Sequence, residues 1–241
     1  MKIIADLHTH TVASTHAYST VLENVRAAKE KKLQAIALTD HGPASEDGAH
    51  RYHFLNIQVI DRKIDGIFVL RGAEANIMEG GGVDIADSLL ENLDFVIASF
   101  HDSSFPPVDF DTHTQTVIKL LDQPYVDCMG HPGNGKYKFD YEKVIPMFKE
   151  RDKLIEINSN SFRIRSGSAV NCREILKLCK KYEVSVAVTS DAHFCTDVGN
   201  FKNALEIIDE IGFPEELVLN SDFEKVKNYI ESKRNIKLNE V

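Results

Sequence analysis

Seven short apolar runs recur along the chain, each closing on polar residues: IIADLHTH, QAIALTDHG, IFVLRGAEAN, DFVIASFHD, VDCMGHPG, KLIEINSN and VSVAVTSDAH. Their ends lie about 30 residues apart, the length of one strand-plus-helix unit. Most are rich in Val, Ile, Leu and Ala, as parallel strands covered on both faces are. Helical signals fill several gaps. Thr20 with Glu23, Thr112 with Gln115 and Ser221 with Glu224 each read as a capping box ahead of helically spaced apolar residues. Alternating strands and helices predict an α/β fold with a parallel sheet. Seven strands with polar ends predict a barrel with its functional site at the C-terminal rim. The long segment GPASEDGAHRYHFLNIQVIDRKIDG is expected to form a loop or lid over that rim. LVLN at 217–220 is a candidate eighth strand. No linker or low-complexity tract interrupts the pattern, so one domain is expected over residues 1–241.

Composition narrows the classes of function. Of 241 residues, 43% are hydrophobic and 27% charged, which suits a globular chain. A net charge of −9, with no basic or aromatic stripe, argues against long nucleic acids and anionic membrane surfaces. No apolar stretch approaches the roughly 20 residues of a membrane span. MKIIADLHTH reaches Asp6 and His8 before any signal-length apolar run, so a cytoplasmic location is expected. The four cysteines form no CxxC pair, which leaves zinc-ribbon and redox readings without support. Self-association is left open.

The polar ends carry the chemistry. In a strand, residues two apart share a face, so His8 and His10 project together, with Asp6 on the same side. Asp191 and His193 repeat the arrangement at the last strand, while His41, Glu74, His101 and His131 each close another. His16 follows the first strand on a loop that can fold back over the rim. Seven imidazoles and two carboxylates are thus expected to converge. One ion uses only about three or four protein ligands, so nine suit two or three ions, with Glu74 bridging and positions left for substrate. Imidazole-rich, thiolate-free ligation suits zinc, manganese or iron. Asp6 and Asp40 are expected to orient ligand histidines by accepting a ring N–H. His50, His53 and His113 match no rim position and are assigned surface or supporting roles. The EGGG at 79–82 lacks the GK[ST] ending of a phosphate loop and reads as a turn.

DLHTH, TDHG, the GAE glutamate, SFH, GHP and SDAH occur in this order, together with THAYST, HPGN, EINSNSF and NCREI. The set resembles the PHP (polymerase and histidinol phosphatase) family over essentially the whole chain, and most closely its free-standing, YcdX-like phosphatase branch. The resemblance implies a distorted, TIM-like (β/α)7 barrel with a trinuclear centre of divalent metal ions, usually zinc in this branch. Carried over by position, it implies that His8, His10, Glu74 and Asp191 hold one ion. It likewise assigns His16, His41 and His193 to a second ion, and Glu74, His101 and His131 to a third.

Such a centre suits hydrolysis of a small phosphorylated metabolite by a metal-activated hydroxide, the cations stabilising charge on the phosphoryl group. Arg163 and Arg165, just after the sixth strand, are the candidate phosphate-binding residues, Arg165 the preferred one, with Lys136 and Lys138 weaker. Asp191 or a metal-bound water is the candidate general acid. Three rivals are weighed against this. A metal-dependent amidohydrolase shares the HxH and the late Asp, but resemblance to it implies a bridging lysine where this chain has Ser99, Phe100 and His101. A 3′–5′ exonuclease or polymerase-associated PHP module is disfavoured by the acidic charge. A non-catalytic metal-binding protein would keep its metal yet hydrolyse nothing.

Overall fold

The computed structural model describes residues 1–234 and 236–238; the remaining positions of the expected 1–241 domain lie outside the described residues. Seven parallel strands form a nearly closed barrel: β1 (Ala5–Thr9), β2 (Ala35–Leu38), β4 (Ile67–Asn76), β5 (Phe95–Ser99), β6 (Cys128–Met129), β7 (Leu154–Asn158) and β8 (Val186–Thr189), hydrogen-bonded in that order. A two-residue strand, β3 (Lys63–Ile64), pairs antiparallel with β4 outside this path. A single parallel bridge, Thr9 to Ala192, links the first and last strands at the rim.

The helices α1 (Val21–Glu30), α2 (Arg51–Asn56), α3 (Asp87–Leu90), α4 (Phe110–Leu120), α5 (Tyr141–Glu150), α6 (Ser161–Ile164), α7 (Ser168–Tyr182), α8 (Lys202–Ile211) and α9 (Phe223–Lys233) fall between and after the strands. The Thr20–Glu23 capping box is present at α1. The other two expected boxes are not the caps. Asp109 caps α4, accepting the Thr112 N–H at 2.9 Å, and Asp222 caps α9, accepting the Glu224 N–H at 2.8 Å. An aspartate, here three residues before Thr112 and one after Ser221, competes well with threonine or serine for this role. The segment expected as a loop or lid folds as a loop, α2 and the 3₁₀ turn Ile57–Val59 after β2, and of these residues only Ser45 and Asp47 of the loop line the cavity over the rim.

Strand faces divide the interior into two layers. The outer faces of the strands pack on the helices; Ile36 and Leu38, for example, share a cluster with Val25 and Ala28 of α1. The inner face is apolar in its lower part, where Leu7, Ala35, Ala37, Leu70, Phe95, Ile97, Leu154 and Ala187 meet Val226 and Ile230 of α9. Above that plug the inner positions turn polar: Glu74 on β4, Ser99 on β5, Glu156 and Asn158 on β7, and Thr189 on β8, all buried. The site therefore has an apolar floor and polar walls.

LVLN is not an eighth strand. It forms 3₁₀ turns, with one bridge from Val218 to Val186. Its Asn220 does the work of a strand at the seam between β1 and β8. The fully buried amide donates to Ala5 O at 2.7 Å and Val188 O at 2.6 Å, and accepts from Val188 N at 3.0 Å. Asn220→Ala leaves these backbone groups buried without partners and is expected to lower unfolding stability by about 3 kcal/mol, read from urea denaturation. A change below about 0.5 kcal/mol would show that the seam does not depend on this side chain.

Candidate metal centre

Glu74, at the upper end of β4, is 1% exposed and lies among five imidazoles. Its Oε2 is 2.8 Å from His41 Nδ1, 3.3 Å from His8 Nε2 and 3.5 Å from His10 Nε2. Its Oε1 is 3.0 Å from His131 Nε2 and 3.4 Å from His101 Nε2. Asp191 Oδ1 lies 3.3 Å from His10 Nε2 and 3.5 Å from His8 Nε2. The His193 ring stands 4.2 Å from that of His10 and 4.4 Å from that of His16, centroid to centroid. All nine residues singled out in the sequence converge at one end of the barrel.

The convergence requires a departure from regular strand geometry. Asp6 does not share the face of His8 and His10, because the β1–β2 register shifts between Asp6 and Thr9. Leu7 packs with Ala5 in the inner apolar cluster, as regular alternation places it, and Asp6 turns to Ser190 Oγ at 2.5 Å and to the N–H of Gly199 at 2.8 Å. Such irregularities re-aim side chains beside functional sites. Asp191 (φ 55°) and His131 (φ 31°) adopt left-handed conformations that non-glycine residues seldom take. Gly130, just before His131, is required by space: a Cβ there would come within 2.0 Å of Ser99 Oγ.

The donor set fits divalent cations. Among the described residues, the buried atoms His41 Nδ1, Glu74 Oε2, His101 Nε2 and Asp191 Oδ1 have no hydrogen-bond partner. Such atoms are costly in a protein interior unless something positive lies between them. Four groups of three ligand atoms lie within 4.8 Å of one another: His10, His41, His193; His8, His10, Asp191; His16, His41, Asp47; and His41, Glu74, His101. Asp47, which contacts His16, was not singled out in the sequence.

Electrostatics follow from burial and crowding. Burial would raise the Glu74 carboxyl, but His8, His101 and His41 outweigh it and hold it well below the ordinary range. Asp191 is likewise held down against burial by His8 and Arg165. Burial, then the neighbouring His41 and His193, pushes His10 well below the usual imidazole range. Burial and Arg165 lower His131 to about 4. His8 is raised: burial works against its charge, but Glu74, Glu156 and Asp191 prevail.

The outer contacts differ from expectation. Neither Asp6 nor Asp40 accepts a ring N–H from the nine. Asp40 Oδ1 accepts the Ser14 hydroxyl at 2.7 Å, and that hydroxyl lies 3.5 Å from His10 Nδ1. His101 Nδ1 is 2.7 Å from Asn76 Oδ1, and His8 Nδ1 is 2.6 Å from Glu156 Oε1. Asn76 and Glu156 sit two residues apart from polar or charged strand positions, the alternation that could have flagged them. His53 Nε2 lies 3.4 Å from Asp40, His50 caps α2, and the buried His113 accepts the Val108 N–H.

A cavity of about 410 Å³ opens over the cluster, lined by His16, His41, His101, Asp102, Arg165 and His193 among others. Arg165 Nη1 reaches Asp191 Oδ2 and Ser161 Oγ, each at 3.0 Å. Arg163 is exposed, bonded to Asn160 and 3.9 Å from Asp197, and does not line this cavity. Lys136 pairs with Asp102, and the exposed Lys138 contributes its carbonyl to His113.

The PHP domain family profile matches residues 6–160. A probable phosphatase of Caldanaerobacter subterraneus subsp. tengcongensis is 48% identical over 237 residues, covering 97% of this chain and 93% of that relative. A probable phosphatase of Clostridium novyi is 43% identical over 239 residues, covering 98% of both. In fold, the chain is similar to a histidinol phosphate phosphatase of Lactococcus lactis solved with zinc, L-histidinol and phosphate. The TM-score is 0.62 at 15% identity, over 87% of this chain and 94% of that one. The chain belongs to the PHP domain family.

In protein stripped of divalent ions by a chelator, His131 is expected to stay neutral until the pH approaches about 4, while His8 is still charged at neutral pH. Histidine Cε1–H NMR titration reads both, and a His131 midpoint near 6.5 would contradict the environment described.

Proposed function

We propose that this protein is a metal-dependent phosphatase that hydrolyses a small phosphorylated metabolite at a trinuclear divalent-metal centre. The observation that carries the reading is Glu74, whose two oxygens face different imidazole sets, as a bridging carboxylate requires. The curated relatives named probable phosphatases support the reaction class. His8, His10, Glu74 and Asp191 would hold one ion; His16, His41 and His193 a second; Glu74, His101 and His131 a third. Bound zinc, or manganese or iron in its place, supplies Lewis acidity toward phosphoryl oxygens and makes water acidic enough to attack at neutral pH.

The protein's own residues set up that chemistry. Neutral His10 and His131 present lone pairs. Asp191, kept ionised and only weakly basic, suits holding a cation; it does not suit the general-acid role. Arg165 places a guanidinium at the cavity wall, where it can pair with a phosphate oxygen while Ser161 and Asp191 keep it oriented. The cavity's size suits a metabolite. Its lining includes Asp47 and Asp102 and offers no basic track for a polynucleotide. Among the described residues no lysine lines it, which disfavours the lysine-bridged amidohydrolase arrangement. Among the described residues, no helix is long and apolar enough to cross a membrane.

Purified protein is expected to carry about two to three metal equivalents by elemental analysis. His10→Ala and His193→Ala should lose metal and, on the same samples, lower p-nitrophenyl phosphate turnover by at least ~100-fold, the upper end for disturbing an outer partner of a ligand. Unchanged turnover in both variants would refute the reading. Arg165→Gln should weaken competitive inhibition by inorganic phosphate ~10-fold, as loss of a charged hydrogen bond does. Undiminished inhibition would remove Arg165 from the phosphate site.

A further inference from the structure

Glu156 belongs to none of the ligand groups above, yet it is fully buried on the inner face of β7, in register with Ala187 of β8. Its Oε1 is 2.6 Å from His8 Nδ1 and accepts the Thr189 hydroxyl at 2.6 Å. Its Oε2 accepts the backbone N–H of His131 at 2.5 Å and Asn158 Nδ2 at 3.2 Å. The same Asn158 Nδ2 lies 3.1 Å from Asp191 Oδ2. One carboxylate thus touches groups from β1, the turn after β6, β7 and β8.

Two consequences follow. A neutral imidazole donates from one nitrogen and binds through the other, and its hydrogen-bond partner decides which. A carboxylate on Nδ1 keeps the proton there and leaves the Nε2 lone pair facing Glu74, His10 and Asp191. His131 is held at φ 31°, a conformation that persists only when its surroundings over-determine it. Its N–H is anchored by Glu156 at that turn.

We propose that Glu156 is a positioning residue that fixes His8 in the Nδ1–H tautomer, with Nε2 presented to the metal-binding cavity, and at the same time anchors the His131 turn. Two ligands assigned to different ions are thereby set by one buried carboxylate. The proposal rests on the metal reading above. Glutamine at this position keeps the shape but carries an amide NH2 that can donate to His8 Nδ1. That contact favours the opposite tautomer, with the proton on the nitrogen needed for ligation.

The test compares wild type with Glu156→Gln by three measurements. These are zinc affinity in competition with a chromophoric chelator, thermal unfolding of the metal-free proteins, and imidazole 15N NMR of the zinc-loaded proteins. Wild type is expected to show His8 protonated on Nδ1. The variant should still unfold cooperatively without metal, at somewhat lower stability than wild type, yet bind zinc ~10–100-fold more weakly, the usual effect of losing a ligand's outer partner. Wild-type zinc affinity in a folded Glu156→Gln protein would overturn the proposal. So would a zinc-loaded wild type with His8 protonated on Nε2, a spectrum that decides the matter even if the variant does not fold. A wild type that binds no zinc, manganese or iron would instead contradict the metal reading itself, so the two failures are distinguishable.

Discussion

A carboxylate buried from water must be neutralised, hydrogen-bonded or shared with cations, because desolvating it alone costs several kcal/mol. Glu74 is buried with five imidazoles around it, and one of its oxygens has no hydrogen-bond partner. Much of the upper barrel is arranged around that constraint. His8, His10, His41, His101 and His131 come from four strand ends, and each is close enough to Glu74 to share a cation with it.

The barrel makes this arrangement affordable by separating stability from chemistry. Its lower interior is an apolar plug closed by α9, and its seam is tied by Asn220 rather than by an eighth strand. The polar upper interior can therefore tolerate a dense set of charges and strained turns at Asp191 and His131. The same rigidity limits motion of the ligands, since Glu156, Asn76 and the Asp40–Ser14 pair hold histidines His8, His101 and His10 through their second ring nitrogens. Arg165 occupies the boundary between the two regimes, bonded to Asp191 on one side and lining the cavity on the other.

Much of this was legible in the sequence because strand periodicity and ligand chemistry coincide. All seven barrel strands lie within the apolar runs, and the residues at their ends converge. What escaped was set by three-dimensional context. The register shift after Asp6 leaves no mark in an alternating string, so its face was misjudged. Asp109 and Asp222 took over caps that Thr112 and Ser221 seemed to offer, since both kinds of residue can accept the free N–H groups of a helix's first turn. LVLN has strand composition, but a lone bridge and the Asn220 side chain replace the ladder. Both Arg163 and Arg165 were offered for phosphate, Arg165 preferred, and the short helix α6 leaves Arg165 lining the cavity while Arg163 does not line it. Glu156 and Asn76 sit within strands that already ended in stronger-looking groups, and Asp47 lies in a loop without periodicity.

The central claim is that the imidazoles gathered around Glu74 hold several metal ions. Anomalous diffraction from crystals of the purified protein, recorded on both sides of the zinc, iron and manganese absorption edges, tests it directly. The account predicts two or three peaks roughly 3.5–4 Å apart, with one of the Glu74 oxygens adjacent to each of two of them. A single peak, or none within reach of Glu74 in protein that retains activity, would contradict it.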